Sequence, residues 1–384
     1  MIPYGRQHID DGDIDAVVSV LRSDFLTQGP RVTDFEQAVC NYVGAQHGLA
    51  VNSATSALHI ACMALELGPG DALWCPANTF LATANCARYC GADVDFIDID
   101  AQTYNLSVPA LAAKLAEAEV AGRLPKVVAA VHFAGQSCDM QGLAALAKRY
   151  GFRVIEDASH AIGGRYQGRP IGDCRFSDIT VFSFHPVKIV TTAEGGLAVT
   201  NDAVLAERMA LARSHGMTRD PALMEGASEG AWYYEQVTLG YNYRMTELQA
   251  ALGLQQMKSI DRFVARRHEL TERYDRLLAG LPLQTPFQAP DNHSALHLYP
   301  VVLHDVARRR EVFDAMRAAG VLVNVHYIPV YLQPYYRRLG HQPGKCPQAE
   351  AYYAGALSLP LYFDLSDAQQ DQVVSTLAAL LGAK

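Results

Sequence analysis

The sequence predicts an α/β fold, with a large domain built on a mostly parallel seven-stranded sheet between helices and a smaller C-terminal α+β domain. Three observations carry this expectation. The chain has 384 residues, more than the roughly 100–200 of an ordinary domain. Half of them are hydrophobic and 19% are charged, the balance of a compact globule and not of a disordered chain. Between residues 47 and 200, short β-rich runs alternate with longer stretches whose apolar residues recur at helical spacing, the pattern of a parallel sheet covered by helices.

Taken in order, "HGLAV" (47–51) reads as the first strand and "TSALHIACMALEL" (55–67) as the helix after it. "ALWC", "DVDFID", "KVVAAVHF", "FRVIED", "DITVFSF" and "GGLAVT" supply six more strands, while "VPALAAKLAEAEVAG" and "MQGLAALAKRYG" are helical. Residues 202–215 and 245–280 carry no strand pattern and are expected as helices, the second long enough to link two domains. Segment 217–240, with its Trp-Tyr-Tyr cluster, is expected as an ordered functional loop. Beyond it, "HLYPVVL" and "VLVNVHYI" read as strands and 305–319 and 366–381 as helices. This places an N-terminal arm and large domain at 1–245, and a linking helix with the small domain at 246–384.

Net charge is −8, and no Lys/Arg block stands out, which argues against a nucleic-acid partner held through phosphate neutralisation. No apolar run approaches the roughly 20 residues that span a bilayer. The start "MIPYGRQHIDDGD" lacks the cationic and apolar regions of a secretory signal, so a cytoplasmic location is expected. The 8 cysteines lie singly, with no CxxC pair. They read as buried structural thiols, and no metal site is expected.

Chemistry concentrates in "DITVFSFHPVKIVTTAEGG" (178–196), where a strand ends in Ser183, a Pro follows and Lys188 stands alone before a Gly pair. Loops at strand ends are where α/β proteins place chemistry, and a partly deprotonated lysine there can form an imine with an aldehyde cofactor; most loop lysines are simply solvated. Asp157 ends the apolar strand of "VIEDASHA". A carboxylate at that depth needs a cation such as a protonated pyridine nitrogen, unless it is only a helix N-cap. "VNSATSALHIA" (51–61) places small hydroxyl residues before a helix whose first N–H groups can hold a phosphate. Thr55 and the backbone of Ala54 are the candidate donors, and Ser183 can add a hydroxyl; an ordinary helix cap is the plainer alternative.

With these segments assembled, the chain resembles over essentially its full length the sugar-nucleotide aminotransferases of fold-type I pyridoxal-phosphate enzymes, the DegT/DnrJ/EryC1/StrS family. The resemblance rests on "FLTQGPRVTDFEQAV", "NSATSALHIA", "PANTFLATANCARYCGADVDFIDID", "IEDASHAIGG", "SFHPVKIVTTAEGG", "GYNYRMTELQAALGLQQ" and "VHYIPV", in that order. It implies that Lys188 holds the pyridoxal 5′-phosphate aldehyde and Asp157 pairs with the ring nitrogen. It further implies that Phe80 stacks on the ring, and that Ala54, Thr55 and Ser183 bind the phosphate. His160 lies where many relatives have Gln near the cofactor oxygen. Asn242 of "GYNYR" is implied to reach the phosphate of the neighbouring subunit, which makes a homodimer with shared sites. Related dehydratases carry His where this chain keeps Lys188, so the resemblance favours amination over dehydration.

"WYYEQVTLGYNYRMTELQAALGLQQ", "VNVHYIPVYLQPYYRRLG" and "AEAYYAGALSLPLYFDLS" look like the enzymes of the pseudaminic acid pathway that aminate C4 of a UDP-linked 4-keto-6-deoxy-N-acetyl-L-hexosamine. His326 and Tyr327, with Tyr4, Thr27 and Gln28, are then candidates for holding the sugar nucleotide, or else ordinary packing residues. By family analogy L-glutamate is the amino donor, and the cofactor passes through its pyridoxamine 5′-phosphate form. Lys188 would then serve as base and acid, and Arg31, Arg244 or Arg337 is open as the donor-carboxylate partner. His185, before Pro186, can influence proton transfer or simply pack. Another nucleotide keto-sugar, aminated at C3 or C4, and a non-catalytic regulator remain alternatives; a nucleotide-dependent dehydrogenase lacks its GxGxxG.

Overall fold

A computed structural model describes residues 1–382. The central sheet has seven strands: β1 (His47–Val51), β2 (Ala72–Pro76), β3 (Asp93–Ile97), β4 (Val127–Val131), β5 (Arg153–Asp157), β6 (Ile179–Ser183) and β7 (Gly196–Thr200). Their spatial order is β1-β7-β6-β5-β4-β2-β3. All neighbours run parallel except β7, which lies antiparallel to both β1 and β6. Every residue of β4, β6 and β7 is buried, whereas the edge strands β1 and β3 each expose part of their length. That is why the interior strands read as unbroken apolar runs: helices cover both faces. All seven strands expected from the sequence are present.

Helices α1 (Asp11–Leu21), α2 (Pro30–Val43), α3 (Ala54–Ala64), α4 (Leu81–Tyr89), α5 (Val108–Val120), α6 (Met140–Tyr150) and α7 (Ala203–Arg213) precede, connect or follow these strands. Their starts are signalled locally. Ser53, Ser107, Asp139 and Asp202 each accept a backbone N–H of the first helical turn, satisfying donors the helix cannot use itself.

The expected single helix over 245–280 is two: α8 (Glu247–Met257) and α9 (Ile260–Leu277), separated at Lys258 and Ser259. Neither Pro nor Gly forces the break. Packing divides the segment, because α8 lies against α1 and α2 while α9 turns Leu270 and Tyr274 into a separate apolar cluster with Tyr299, Val312 and Val373. That cluster surrounds a three-stranded antiparallel sheet, Leu283–Gln284 with Tyr299–Leu303 and Ala356–Leu359, flanked by α10 (Arg309–Ala318) and the helix Asp367–Leu381. "VLVNVHYI" forms a strand only at Val321–Leu322, which pairs in parallel with Ile2–Pro3 of the N-terminal arm; the rest is irregular because Asn324, His326 and Tyr327 make side-chain and backbone bonds of their own. In segment 217–240, Met217–Thr218 pairs with Glu235–Gln236 around a solvent-facing loop. No helix among the described residues is long and apolar enough to cross a membrane.

Candidate active site

The carboxyl ends of β1, β5 and β6 open onto one cleft of about 600 Å³. Parallel strands end there together, so residues distant in sequence meet. Lys188, Asp157, Ser183, Ala54, Thr55, Phe80, His160, Tyr4, His326 and Tyr327 all line this cleft, joined by His185 and Glu194. Ten of the thirteen residues expected at the site therefore converge. Thr27 and Gln28 do not: they sit in an exposed turn before α2, whose first N–H groups at Arg31 and Val32 donate to Glu247. Asn242 is exposed outside the cleft, and its carbonyl accepts from Asn52 at 3.4 Å. Arg31, Arg244 and Arg337 do not line the cleft either, and Arg31 pairs with Asp34 on the surface.

Asp157 is buried at the end of β5. Its carboxylate accepts the Thr83 hydroxyl at 2.6 Å and the Ser159 N–H at 3.2 Å. The amine of Lys188 has no hydrogen-bond partner among the described residues. Burial lowers its proton affinity from the ordinary 10.5 to about 8, with the nearby Asp157 charge opposing the shift. A neutral fraction at physiological pH is what a lysine nucleophile or base needs.

At the start of α3, Ser53 caps only the Ser56 N–H. The amides of Ala54 and Thr55 keep no partner among the described residues, and they stand at the positive end of the helix dipole. Gly196 of β7 makes this start possible: a Cβ there would lie 2.4 Å from the Ala54 nitrogen.

Four histidines surround the lysine. Burial, followed by the Lys188 charge, holds His160 and His297 well below the usual imidazole range and His326 down to about 3. His185 is lowered by burial, with Glu194 opposing the shift. Tyr327 is fixed by its N–H to Asn78 (2.9 Å) and its hydroxyl to His160 (3.2 Å); His326 contacts Ser358 at 2.8 Å. Sequence reasoning missed Thr83, Asn78 and Ser159. Only the Thr79/Thr83 spacing of one helical turn hints at the first, and nothing local marks the second.

The profile of the DegT/DnrJ/EryC1/StrS aminotransferase family matches residues 7–378. The chain is 39% identical over 382 residues to spore coat polysaccharide biosynthesis protein SpsC of Bacillus subtilis, covering 98% of this chain and 96% of that one. It is 36% identical over 384 residues to UDP-4-amino-4,6-dideoxy-N-acetyl-beta-L-altrosamine transaminase of Campylobacter jejuni, covering 99% and 98%. Among solved structures, Helicobacter pylori PseC, an aminotransferase involved in the biosynthesis of pseudoaminic acid, matches with a TM-score of 0.91 at 31% identity over 99% of each chain.

Solved neighbours include pyridoxal- and pyridoxamine-phosphate forms, and the cleft fits that cofactor. It offers an unpaired amine for the aldehyde, a buried carboxylate for the ring cation and two free amides at a helix start for the phosphate. The chain belongs to the DegT/DnrJ/EryC1/StrS aminotransferase family and is a pyridoxal-phosphate-dependent sugar aminotransferase.

Proposed function

We propose that the chain transfers the amino group of L-glutamate to C4 of a UDP-linked 4-keto-6-deoxy-N-acetyl-L-hexosamine, a step of pseudaminic acid biosynthesis. The observation that carries the catalytic reading is the Lys188 amine, unpaired and lowered to about 8, in the same cleft as the buried Asp157. The substrate reading is supported by similarity to the Campylobacter jejuni transaminase and to PseC.

In this reading Lys188 holds the cofactor's aldehyde carbon and Asp157 keeps the ring nitrogen protonated. Ala54, Thr55 and Ser183 hold the phosphate, Phe80 covers the ring, and His160 stands at its edge. When bound, pyridoxal phosphate takes up electrons from the donor's α-carbon and carries the nitrogen from one substrate to the other. Lys188, once displaced, takes the proton from the donor carbon and returns one to the sugar carbon in the second half of the cycle. Tyr4, His326 and Tyr327 contact the sugar nucleotide. Residues 1–245 form the cofactor-binding part, and Asn242, exposed in one protomer, completes the phosphate site of a second copy in a homodimer.

Incubation with glutamate and a panel of nucleotide keto-sugars, with products identified by mass spectrometry and NMR, tests the substrate. A 4-amino product from the UDP-4-keto-6-deoxy-L-hexosamine is expected. Amination of a different keto-sugar alone would replace that substrate.

A further inference from the structure

A hydroxyl lining the cleft can in general turn its hydrogen to suit its neighbours. That of Tyr327 cannot, and the reason lies two bonds back. Ala134 adopts φ = 56°, and its N–H donates to Nδ1 of His160 at 3.3 Å. The loop that carries it is locked against the chain at 295–298: Ala295 N–H donates to the Gly135 carbonyl at 3.0 Å, and His297 N–H to the Ala134 carbonyl at 2.8 Å. A Cβ at Gly135 would lie 2.6 Å from the Leu296 nitrogen, so the loop has no room to shift. Nδ1 of His160 is therefore an acceptor and carries no hydrogen. The cationic ring, which needs hydrogens on both nitrogens, is excluded, and burial favours the neutral ring as well.

In a neutral imidazole with a bare Nδ1, the hydrogen sits on Nε2. Nε2 of His160 lies 3.2 Å from the Tyr327 hydroxyl oxygen. That oxygen thus receives a hydrogen, and the phenol's own O–H must point elsewhere. It has no other partner among the described residues, and Tyr327 and His160 both line the cleft with Asp157 and Lys188. Burial, followed by the Asp157 charge, pushes the phenol well above its ordinary range, so the hydroxyl keeps its hydrogen across the working pH range.

We propose that the relay Ala134 N–H to His160 to Tyr327 fixes the Tyr327 hydroxyl as a hydrogen-bond donor aimed into the cleft, where it recognises an oxygen acceptor of the bound cofactor or of the sugar. His160 is a positioning residue in this relay, acting through its tautomer. The inference extends the proposed function by giving Tyr327 a defined polarity and His160 the task of setting it.

The test exploits side chains that keep or reverse the polarity. In His160→Gln the amide oxygen accepts from Ala134 and the amide nitrogen donates to Tyr327, so the direction is kept. In His160→Glu the carboxylate only accepts, so Tyr327 must donate to it and the cleft loses its donor. Tyr327→Phe removes the donor outright. Loss of one such bond predicts kcat/KM for the keto-sugar at least about tenfold lower in His160→Glu and Tyr327→Phe than in His160→Gln.

The absorption spectrum of each resting holoenzyme, recorded without substrates, separates the two acceptors. A band displaced in the first two variants and not in His160→Gln assigns the donor to a cofactor oxygen. Unchanged bands with a raised KM, and weaker UDP-sugar binding by calorimetry, assign it to the sugar. His160→Glu and His160→Gln falling together, with Tyr327→Phe no worse than His160→Gln, would overturn the relay. If His160→Glu does not fold, the comparison of Tyr327→Phe with His160→Gln decides alone. Should wild-type enzyme convert no UDP-4-keto-sugar, the substrate reading fails, while the resting spectra and the glutamate half-reaction still report on the donor.

Discussion

Thr83 donates its hydroxyl hydrogen to Oδ2 of Asp157 at 2.6 Å, and the Thr83 hydroxyl lies 2.7 Å from that of Thr79, just before the start of α4. The carboxylate proposed to meet the cofactor ring is thus aimed from a helix that carries no charge of its own at that point. A hydrogen bond to a charged group is worth about 1.5–3 kcal/mol. Thr83→Val, which keeps the shape and loses the donor, is expected to weaken pyridoxal phosphate binding by roughly tenfold, measured by titrating apoenzyme and following absorbance. Unchanged affinity would mean that Ser159 alone orients the carboxylate.

Lys188→Ala is expected to abolish turnover and the visible absorbance of the attached cofactor. Undiminished turnover would sink the assignment of the lysine.

The same lysine makes the apoenzyme pH-sensitive in a direction that follows from its lowered proton affinity. Below pH 8 the amine is charged in both folded and unfolded chains, and the folded state bears the full penalty of burial. Between about 8 and 10.5 the unfolded chain holds a proton that the folded chain has released, so stability rises with pH. Apo Lys188→Met should exceed apo wild type by roughly 3 kcal/mol at pH 7, with the gap closing above pH 8 in denaturant titrations. A gap that is constant with pH would show that burial does not lower this amine.

Gly196→Ala places a methyl group 2.4 Å from the Ala54 nitrogen and 2.5 Å from the Ser53 carbonyl carbon. Both are backbone atoms at a helix start, so the helix must move. Overpacking of this kind costs about 1–3 kcal/mol. The variant should melt lower and also bind cofactor more weakly, because the displaced amides are those proposed to hold its phosphate. A lower melting temperature with unaltered cofactor affinity would separate packing from phosphate binding.

Subunit sharing has its own test. Lys188→Ala and Asn242→Ala, each impaired alone, are mixed and allowed to exchange subunits. A shared site in a twofold dimer restores about one quarter of wild-type activity, since half the dimers are hybrids with one intact site. No recovery would place Asn242 outside the partner's cleft.

Much of this site was legible because its parts are strand ends and helix starts, features with strong local signals. Lys188, Asp157 and the Ser-Ala-Thr-Ser turn all announce themselves through an apolar run that stops abruptly. The pieces that escaped are held by contacts distant in sequence. Thr83 reads as an ordinary helix threonine until β5 brings Asp157 beside it. Asn78 meets Tyr327 only once the C-terminal part folds back over the cleft. The split between α8 and α9 likewise has no breaker residue, since two different packing surfaces impose it. Thr27 and Gln28 differ again: the family motif that singles them out lies in a turn that a single protomer places away from its own cleft.

The reversed direction of β7 has a kinetic consequence. Gly196 pairs with Ser183 on one side and with Val51 on the other. The Lys188 loop is therefore closed by neighbours along the chain, a contact reached early because little loop entropy opposes it. The α3 start is recruited by a pairing of adjacent strands far apart in sequence, Val51 with Gly196, and must wait for it. During refolding, the anchoring amine should gain protection from solvent before the amides at Ala54 and Thr55 do. The capacity to hold the cofactor would then emerge in two stages, with the reactive end preceding the phosphate end.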